Sequence, residues 1–193
     1  MNYSVRKLDE EHYLEFFETT TSSGEGTELG DWLQTTELGD WLQTKAREYQ
    51  KLHRSVVWIM GDADDPEDVI GYFTLSGYQI TGGSLTKRLR SGIEPSQTHP
   101  AHLLGKFALR TEGQGKGMGE LLMLEVFRKY RDVVAISGSR FLCLHVRNEE
   151  LEKYYEGRYG FSAVSDGDGY PKLMVISTEA VLDLLRKLEE GSI

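Results

Sequence analysis

The sequence predicts a single mixed α/β (α+β) domain, with a central sheet of six to seven strands and helices on both faces of the sheet. Length and composition support one domain, because 193 residues that are 39% hydrophobic suffice for one core and are few for two. Short alternating or apolar segments, typical of strands, are interspersed with amphipathic segments, typical of helices. The predicted order is β-α-α-β-β-β-α-β-α-β-β, followed by a C-terminal helix.

The amino-terminal segment predicts a strand, a helix and a loop. Residues Tyr3 to Lys7 alternate as in a short strand, and Asp9 can cap a helix that runs to Phe17, with apolar positions at helical spacing. From Glu18 to Gly26 the chain contains only Glu, Thr, Ser and Gly, a composition typical of a poorly ordered loop.

A nonapeptide is repeated in tandem, since TELGDWLQT occupies residues 27–35 and again residues 36–44. Nine residues turn a helix by about 900°, so the apolar side chains of the two copies fall on opposite faces. Only the second copy is in phase with the segment that follows it, and we expect it to form the core helix. Its predicted apolar face consists of Leu38, Trp41, Leu42, Ala46, Tyr49 and Leu52. The first copy is then extra helix, looped out, or packed against a partner.

The remainder of the chain predicts a hairpin, a long loop and a series of strands and helices. Ser55–Met60 and Val69–Ile80 flank an acidic turn and form the hairpin, and Ser84–Ala101 forms a surface loop. A central strand, Leu103–Leu109, comes next and leads into a glycine-rich turn. After the turn we expect helices at Met118–Arg131, Glu149–Arg158 and Thr178–Glu189, and strands at Arg140–Val146, Phe161–Val164 and Leu173–Ile176.

Charge and composition exclude several classes of protein. The formal net charge of −9 argues against tight non-specific binding to nucleic acid, although six basic residues outnumber two acidic ones between Thr81 and Lys116. No apolar run approaches the roughly 20 residues of a membrane span, and no signal-peptide pattern follows Met1, so we expect a cytoplasmic protein that does not bind membranes. Cys143, the single cysteine, is expected to be a buried, inert thiol. No metal site is predicted, because His and Cys lack ligand spacing.

The glycine-rich turn, QGKGMG at residues 114–119, is the strongest candidate binding motif. Between a strand and a helix, free backbone N–H groups and the positive end of the helix converge, an arrangement suited to a pyrophosphate. Glycines allow close approach of the ligand, and Lys116 adds positive charge. A nucleotide-binding P-loop is excluded, because that motif ends in Gly-Lys-Ser/Thr, whereas Gly119 is followed by Glu120 and Leu121. The spacing of a dinucleotide fingerprint is not present either.

Several motifs together resemble the GNAT family of N-acetyltransferases. The glycine turn matches the family's Gln/Arg-x-x-Gly-x-Gly/Ala pattern at Gln114, Gly117 and Gly119, and Asn148 and the Tyr154-Tyr155-Glu156 and Tyr159-Gly160-Phe161 segments follow at the family's spacing. Two segments, Leu38–Ile80 and Leu104–Leu109, resemble the corresponding segments of one subgroup of this family. That subgroup includes bacterial toxins of toxin–antitoxin pairs.

This resemblance implies acetyl-coenzyme A as co-substrate, without a metal, and specific roles for named residues. Backbone groups of Phe107, Ala108 and Leu109 would pair with the pantetheine arm, and Asn148 would hydrogen-bond it. Tyr155 would protonate the departing thiolate as general acid, with Tyr154 as the competing choice. The pyrophosphate would be bound by Gln114, Gly115, Lys116, Gly117, Met118 and Gly119.

The resemblance leaves the acceptor open. An amine of a small molecule, peptide or protein fits the acidic surface, and the amine of aminoacyl-tRNA fits the toxin subgroup. A non-catalytic coenzyme A-binding regulatory module is a further alternative. A homodimer and an antitoxin protein are possible partners. The general base is also open, with His99, His102 and Glu112 as candidates, whereas His145 is expected to lie partly buried in its strand and Asn148 has an alternative role as a helix N-cap.

Overall fold

The computed structural model describes residues 3–19, 29–65, 67–90, 92–164 and 169–190, excluding the side chains of residues 29–36 and 189. The observed element order is β-α-α-β-β-β-α-β-α-β-β-α. It has the predicted number of elements, but its first two helices are both in the region where one core helix was predicted, and the helix predicted at Asp9–Phe17 does not form. The strands are β1 Tyr3–Lys7, β2 Val56–Asp62, β3 Val69–Thr81, β4 Thr98–Leu109, β5 Phe141–Val146, β6 Ser162–Ala163 and β7 Lys172–Ser177. The helices are α1 Leu29–Thr44, α2 Ala46–Lys51, α3 Met118–Ser137, α4 Glu149–Tyr159 and α5 Thr178–Glu189. None of these helices is both long and apolar enough to cross a membrane.

The seven strands are hydrogen-bonded in the order β1-β2-β3-β4-β5-β7-β6. β1 and β3 pair antiparallel with β2, and β5 and β6 pair antiparallel with β7, whereas β4 and β5 are parallel. The register between β4 and β5 runs from Ala101 and Phe141 to Leu104 and Leu144, and it ends there. Both strands continue beyond this point, β4 to Leu109 and β5 to Val146, so parallel pairing covers only part of β4.

The chain divides into two compact units, the first formed by Met1–Ser76 and Lys106–Val126, the second by Gly77–Gly105 and Phe127–Ile193. In the first unit, the core surrounds Trp41 and Tyr72, whose rings stack with centroids 6.0 Å apart. In the second unit, the core includes Leu85, Ile93, Phe141 and Val175 around Cys143. Burial raises the pKa of the Cys143 thiol to about 12, so it stays protonated near neutral pH, as expected of an inert thiol.

Helix α1 contains both copies of the nonapeptide, so the backbone of the first copy is helical from Leu29 onward. The second copy packs into the core as predicted, since Leu42 is fully buried and Leu38 and Tyr49 border the same cluster. The prediction was wrong for Leu52, which is 53% exposed. The chain leaves helical geometry at Lys45, with φ −123°, and α2 ends at Lys51, so Leu52 lies past the helix.

The predicted helix from Asp9 to Phe17 was wrong, because this segment is a series of turns. Its backbone is held by side chains that are distant in sequence: the Arg47 guanidinium donates to the carbonyls of Asp9 and His12 at 3.2 and 2.9 Å. Leu14 and Phe17 are buried in the first unit, whereas Tyr13 and Phe16, which the helix would have buried, are 61% and 72% exposed. The loop predicted from Glu18 to Gly26 lies, beyond Thr19, outside the described residues.

The long surface loop predicted at Ser84–Ala101 was wrong in its extent. Strand β4 begins at Thr98, and Leu85 and Ile93 enter the core of the second unit instead of crossing its surface. Gly82 permits this path, because a Cβ at that position would lie 2.3 Å from the Glu94 carbonyl oxygen. The next helix, α3, also extends further than predicted, to Ser137, where Gly138 follows with φ 69°.

Candidate functional site

The glycine-rich turn connects β4 to α3 in the first unit. A 3₁₀ turn at Thr111–Gly113 follows the strand, and α3 begins at Met118. Gly115 and Gly117 have φ values of 69° and 77°, in the left-handed region that favours glycine. A Cβ built on either glycine would meet no atom within 4 Å, so the space above both residues is open.

The backbone N–H groups of this turn are available to a ligand. The N–H groups from Gly115 to Gly119 have no acceptor among the residues that the structure describes. By contrast, the N–H groups of Glu120 and Leu121 donate to the carbonyl of Gly117 at 3.1 and 3.3 Å, so regular helix begins there. Five consecutive open donors at the positive end of a 20-residue helix form an anion-binding geometry.

Side chains on both sides fix the position of the turn. The Arg110 guanidinium donates to both carboxylate oxygens of Asp68, at 2.6 and 3.0 Å, and the Arg110 N–H donates to the carbonyl of Ile70 at 2.8 Å. Gln114 turns its amide back onto the Leu109 carbonyl at 3.3 Å. Planar bidentate pairs of this kind confer geometric precision, so the turn is held in place before any ligand binds.

The end of β4 packs tightly against a glycine in β3. A Cβ at Gly71 would lie 2.6 Å from the Leu109 side chain and 3.1 Å from the Ala108 carbonyl oxygen. Ala108 is buried, and Phe107 and Leu109 are half-buried. Sequence reasoning missed both Gly71 and the Asp68–Arg110 pair. A glycine inside an alternating strand pattern was the available signal for the first, because such a glycine often marks a close approach of backbone.

An aromatic cluster surrounds Tyr155 in the second unit. Its ring centroid lies 5.4 Å from that of Tyr154, 6.1 Å from that of Tyr159 and 5.8 Å from that of Phe161. Tyr155 and Tyr154 are adjacent in α4 and point in different directions. The Tyr154 hydroxyl is 3.4 Å from the Tyr159 hydroxyl, and the residue is 46% exposed, whereas Tyr155 is half-buried.

The surroundings of the Tyr155 hydroxyl determine its protonation. It has no hydrogen-bond partner among the described residues, and it is not one of the polar atoms sealed inside the protein. Burial, with a smaller contribution from Tyr154, raises the pKa of Tyr155 well above its ordinary value. The hydroxyl therefore keeps its proton near neutral pH.

Asn148 is the N-cap of α4, the alternative that the sequence left open. Its side-chain oxygen accepts a hydrogen bond from the Leu151 N–H at 2.9 Å, and its backbone is extended, with φ −152° and ψ 169°. The amide NH2 group of Asn148 has no partner among the described residues. Capping by the oxygen thus leaves the nitrogen available to a ligand.

Replacement of Asn148 by alanine is expected to lower the free energy of unfolding by about 1 kcal/mol, because the Leu151 N–H loses its acceptor. Chemical denaturation of the two proteins measures this difference. Asn148→Asp is the matched control, since aspartate caps as well as asparagine, and it should restore the stability. Equal unfolding free energies for the wild type and Asn148→Ala would contradict the capping role.

The candidate bases differ in their surroundings. His102 belongs to a polar network in the second unit, where its Nδ1 is 3.1 Å from the Ser139 hydroxyl, and burial lowers its pKa. Glu112 is exposed and paired with the Arg110 guanidinium at 3.2 Å, and His99 is half-buried. His145 is exposed, not partly buried as expected, with its ring edge-on to Tyr78. Within the described part of the chain, no three His, Cys, Asp or Glu residues are grouped to hold a metal ion.

No family model matches the sequence, and no curated protein matches it. Solved structures do match. A tyrosine-to-phenylalanine mutant of KacT superposes with a TM-score of 0.76 and 22% identity, covering 95% of this chain and 99% of that one. AtaT complexed with acetyl-methionyl-tRNAfMet gives a TM-score of 0.75 and 20% identity, with 95% and 99% of the chains covered. AtaTR bound with acetyl-coenzyme A superposes with a TM-score of 0.67 and 20% identity, covering 95% of this chain and 98% of that one.

The chain has the GNAT fold. The likeness extends over almost the whole length of both chains in each comparison, so no large part of the described fold lies outside it. The parallel pairing of β4 with β5 ends at Leu104, just before Phe107–Leu109. The glycine turn follows the same strand, as the sequence predicted.

Proposed function

We propose that this protein is an acetyl-coenzyme A-dependent N-acetyltransferase. The observation that carries the proposal is the turn at Gly115–Gly119, where five open N–H groups and open space follow directly on β4. Strand β4 is also the strand whose pairing with β5 stops part-way, which makes its last residues suitable for binding an extended ligand through the backbone. Neighbours with the GNAT fold, AtaT and AtaTR, are solved with acetyl-coenzyme A, which supports the same ligand here.

The residues present fit acetyl-coenzyme A. Its diphosphate needs several donors and little steric obstruction, and the turn supplies both. The exposed Lys116 adds a positive charge beside the two left-handed glycines. Gln114 fixes the start of the turn by its bond to the Leu109 carbonyl, and Met118 and Gly119 begin the helix. When bound, the co-substrate supplies an acetyl group activated as a thioester.

The chain's own residues then have three tasks. Backbone groups of Phe107, Ala108 and Leu109 hold the pantetheine arm, with the Asn148 amide as a further donor. An N–H at this strand end stabilises the negative oxygen that develops at the thioester carbonyl during attack by the amine. Tyr155 keeps its proton because of its raised pKa and donates it to the thiolate sulfur as the carbon–sulfur bond breaks. The amine proton leaves to a base or to water.

We infer that the acceptor is the amine of aminoacyl-tRNA. The neighbours that match over 95% of the chain include toxins, and one of them, AtaT, is complexed with acetyl-methionyl-tRNAfMet. Exposed basic residues in this chain, among them Lys87, Arg88 and Lys116, provide positive charge for a phosphate backbone. AtaT is also solved with the C-terminus of the antitoxin AtaR, so we expect a protein partner of this kind. The homodimer stays a prediction.

A second acceptor class is favoured by one observation, the net charge of −9, which attracts small cationic amines. A transfer assay with labelled acetyl-coenzyme A separates the two classes. Charged tRNA, uncharged tRNA, a polyamine and a lysine-containing peptide are offered in parallel. We expect the labelled acetyl group to appear on charged tRNA only. Hydrolysis of the ester bond between the tRNA and its amino acid should then remove the label from the tRNA. Label on the polyamine or peptide instead would favour the second class, and no label on any acceptor would contradict the proposed turnover.

A further inference from the structure

The repeated nonapeptide has a structural role that the proposed function does not use. In its second copy, Trp41 stacks on Tyr72 at 6.0 Å between ring centroids, and Leu42 is fully buried. The Tyr72 hydroxyl donates to the Leu38 carbonyl at 2.7 Å. We call the surface that receives this copy the helix slot, and it is lined by Phe17, Tyr49, Val57, Ile59, Tyr72 and Ala108.

The helix slot also requires small and polar residues at set positions. Gly39 faces the backbone of Phe17, because a Cβ there would lie 3.2 Å from the Phe17 carbonyl oxygen. The Gln43 amide donates to the same oxygen at 3.1 Å. Each of these requirements is met a second time in the chain, nine residues earlier, by residues of identical type. The counterparts of Leu38, Gly39, Trp41, Leu42 and Gln43 are Leu29, Gly30, Trp32, Leu33 and Gln34.

We propose that the helix has two registers in the slot, and that the first copy can replace the second. The groups offered to Tyr72, Phe17 and the surrounding core are identical in the two registers, so the contacts inside the slot are equally stabilising. The free-energy difference between the registers therefore arises only at the two ends of the repeated segment. The chain connections at both ends of the repeated segment allow the second register.

At the amino-terminal end, residues 20–26 would connect Thr19 to the first copy. Seven extended residues reach about 23 Å. The distance to be bridged is short, since a Cβ on Gly39, in the middle of the slot, would be only 3.7 Å from the Thr19 hydroxyl oxygen. The connection to the repeated helix therefore has enough length in the second register.

At the carboxyl-terminal end, residues 36–44 would form a loop between the first copy and Lys45. The helix is already interrupted here, because α1 ends at Thr44, Lys45 has φ −123° and α2 starts afresh at Ala46. A loop inserted at this boundary leaves α2 in place, with Ala46 buried and Tyr49 against the slot. The entropic cost of such a loop grows only logarithmically with its length, so nine residues are tolerated.

Three variants test the proposal: Trp32→Ala, Trp41→Ala and the double variant, each compared with the wild type by its denaturation midpoint. Two registers predict that Trp41→Ala stays folded, because Trp32 fills the slot, and that the midpoint shift of the double variant exceeds the sum of the single shifts. Additive shifts would overturn the proposal, and so would a Trp41→Ala protein that fails to fold, since the spare copy would then have given no rescue.

A direct readout uses 19F NMR spectra of the protein labelled with 5-fluorotryptophan. The chain has three tryptophans. In Trp41→Ala, the Trp32 resonance should move to the chemical shift that Trp41 shows in Trp32→Ala. A Trp32 resonance unchanged from the wild type would overturn the proposal. Tyr72→Ala is the control, because the slot has no spare for Tyr72. When Trp32→Ala and Trp41→Ala are made in the Tyr72→Ala protein, the rescue of the denaturation midpoint by the other copy should be no larger than in the protein that keeps Tyr72.

Discussion

The Gly117→Glu variant is expected to bind acetyl-coenzyme A at least about 100-fold more weakly than the wild type. The new carboxylate enters the open space above the turn, where the proposed diphosphate binds. Placing like charges together costs several kcal/mol, and each 1.4 kcal/mol corresponds to a factor of about ten in affinity. Calorimetric titration of both proteins with acetyl-coenzyme A measures the difference.

The matched control for this variant is Gly138→Glu. Gly138 follows the other end of the 20-residue helix α3, with φ 69° against 77° for Gly117, and a Cβ there also meets no atom within 4 Å. The control therefore introduces the same charge and the same backbone strain at a site without a ligand. Wild-type affinity is expected for Gly138→Glu. If the wild type itself does not bind, or if both variants lose affinity equally, the glycine turn is not the diphosphate site.

The second large effect is expected for Tyr155→Phe, which should lower kcat by about 10²- to 10⁴-fold with little change in KM. The substitution removes only the hydroxyl that protonates the leaving thiolate, and general acids contribute rate factors of this size. The ring contacts with Tyr154, Tyr159 and Phe161 stay in place, so stability should change little. Steady-state kinetics with an acceptor identified by the transfer assay gives both constants.

Tyr154→Phe is the control for this prediction, because it deletes a neighbouring hydroxyl on the same helix. That hydroxyl faces the Tyr159 hydroxyl at 3.4 Å, and its loss should change kcat by less than a few-fold. The pH dependence offers a second check. Because the pKa of Tyr155 is raised, its acid form persists past the ordinary tyrosine value of about 10, so no loss of kcat due to Tyr155 is expected below that pH. A large effect of Tyr154→Phe and none of Tyr155→Phe would exchange the two roles.

The sequence predicted those elements whose cause is local. Helix α5 was predicted at its observed bounds, because an amphipathic pattern begins directly after Ser177, whose hydroxyl accepts from the Ala180 N–H at 3.2 Å. The strand at Tyr3–Lys7 and the start of α3 at Met118 were likewise predicted, from alternation and from the glycine turn. The GNAT fold was expected because several motifs occur in the right order along the chain.

The errors arose where distant residues determine the local structure. Nothing between Asp9 and Phe17 indicates that Arg47 will bind two carbonyls of that segment and stabilise turns in place of a helix. Strand β4 begins at Thr98, before its apolar run, and its register with β5 begins at Ala101 and not at Leu103. Resemblance to a family gave four of the site residues, Phe107, Ala108, Leu109 and Asn148. It also gave the choice of Tyr155 over Tyr154, and the roles of all these residues stay predictions.

The candidate co-substrate site depends on Gly71 in β3 as well as on the glycine-rich turn at residues 114–119. The missing Cβ of Gly71 is what allows β3 to approach Ala108 and Leu109, and no side chain fits without moving them. A substitution at position 71, in the strand next to β4, can therefore disturb the strand end that we assign to the co-substrate, while every residue of the glycine-rich turn stays intact. Substitutions that preserve the co-substrate site are therefore expected to keep a glycine at position 71 as well as at positions 115 and 117.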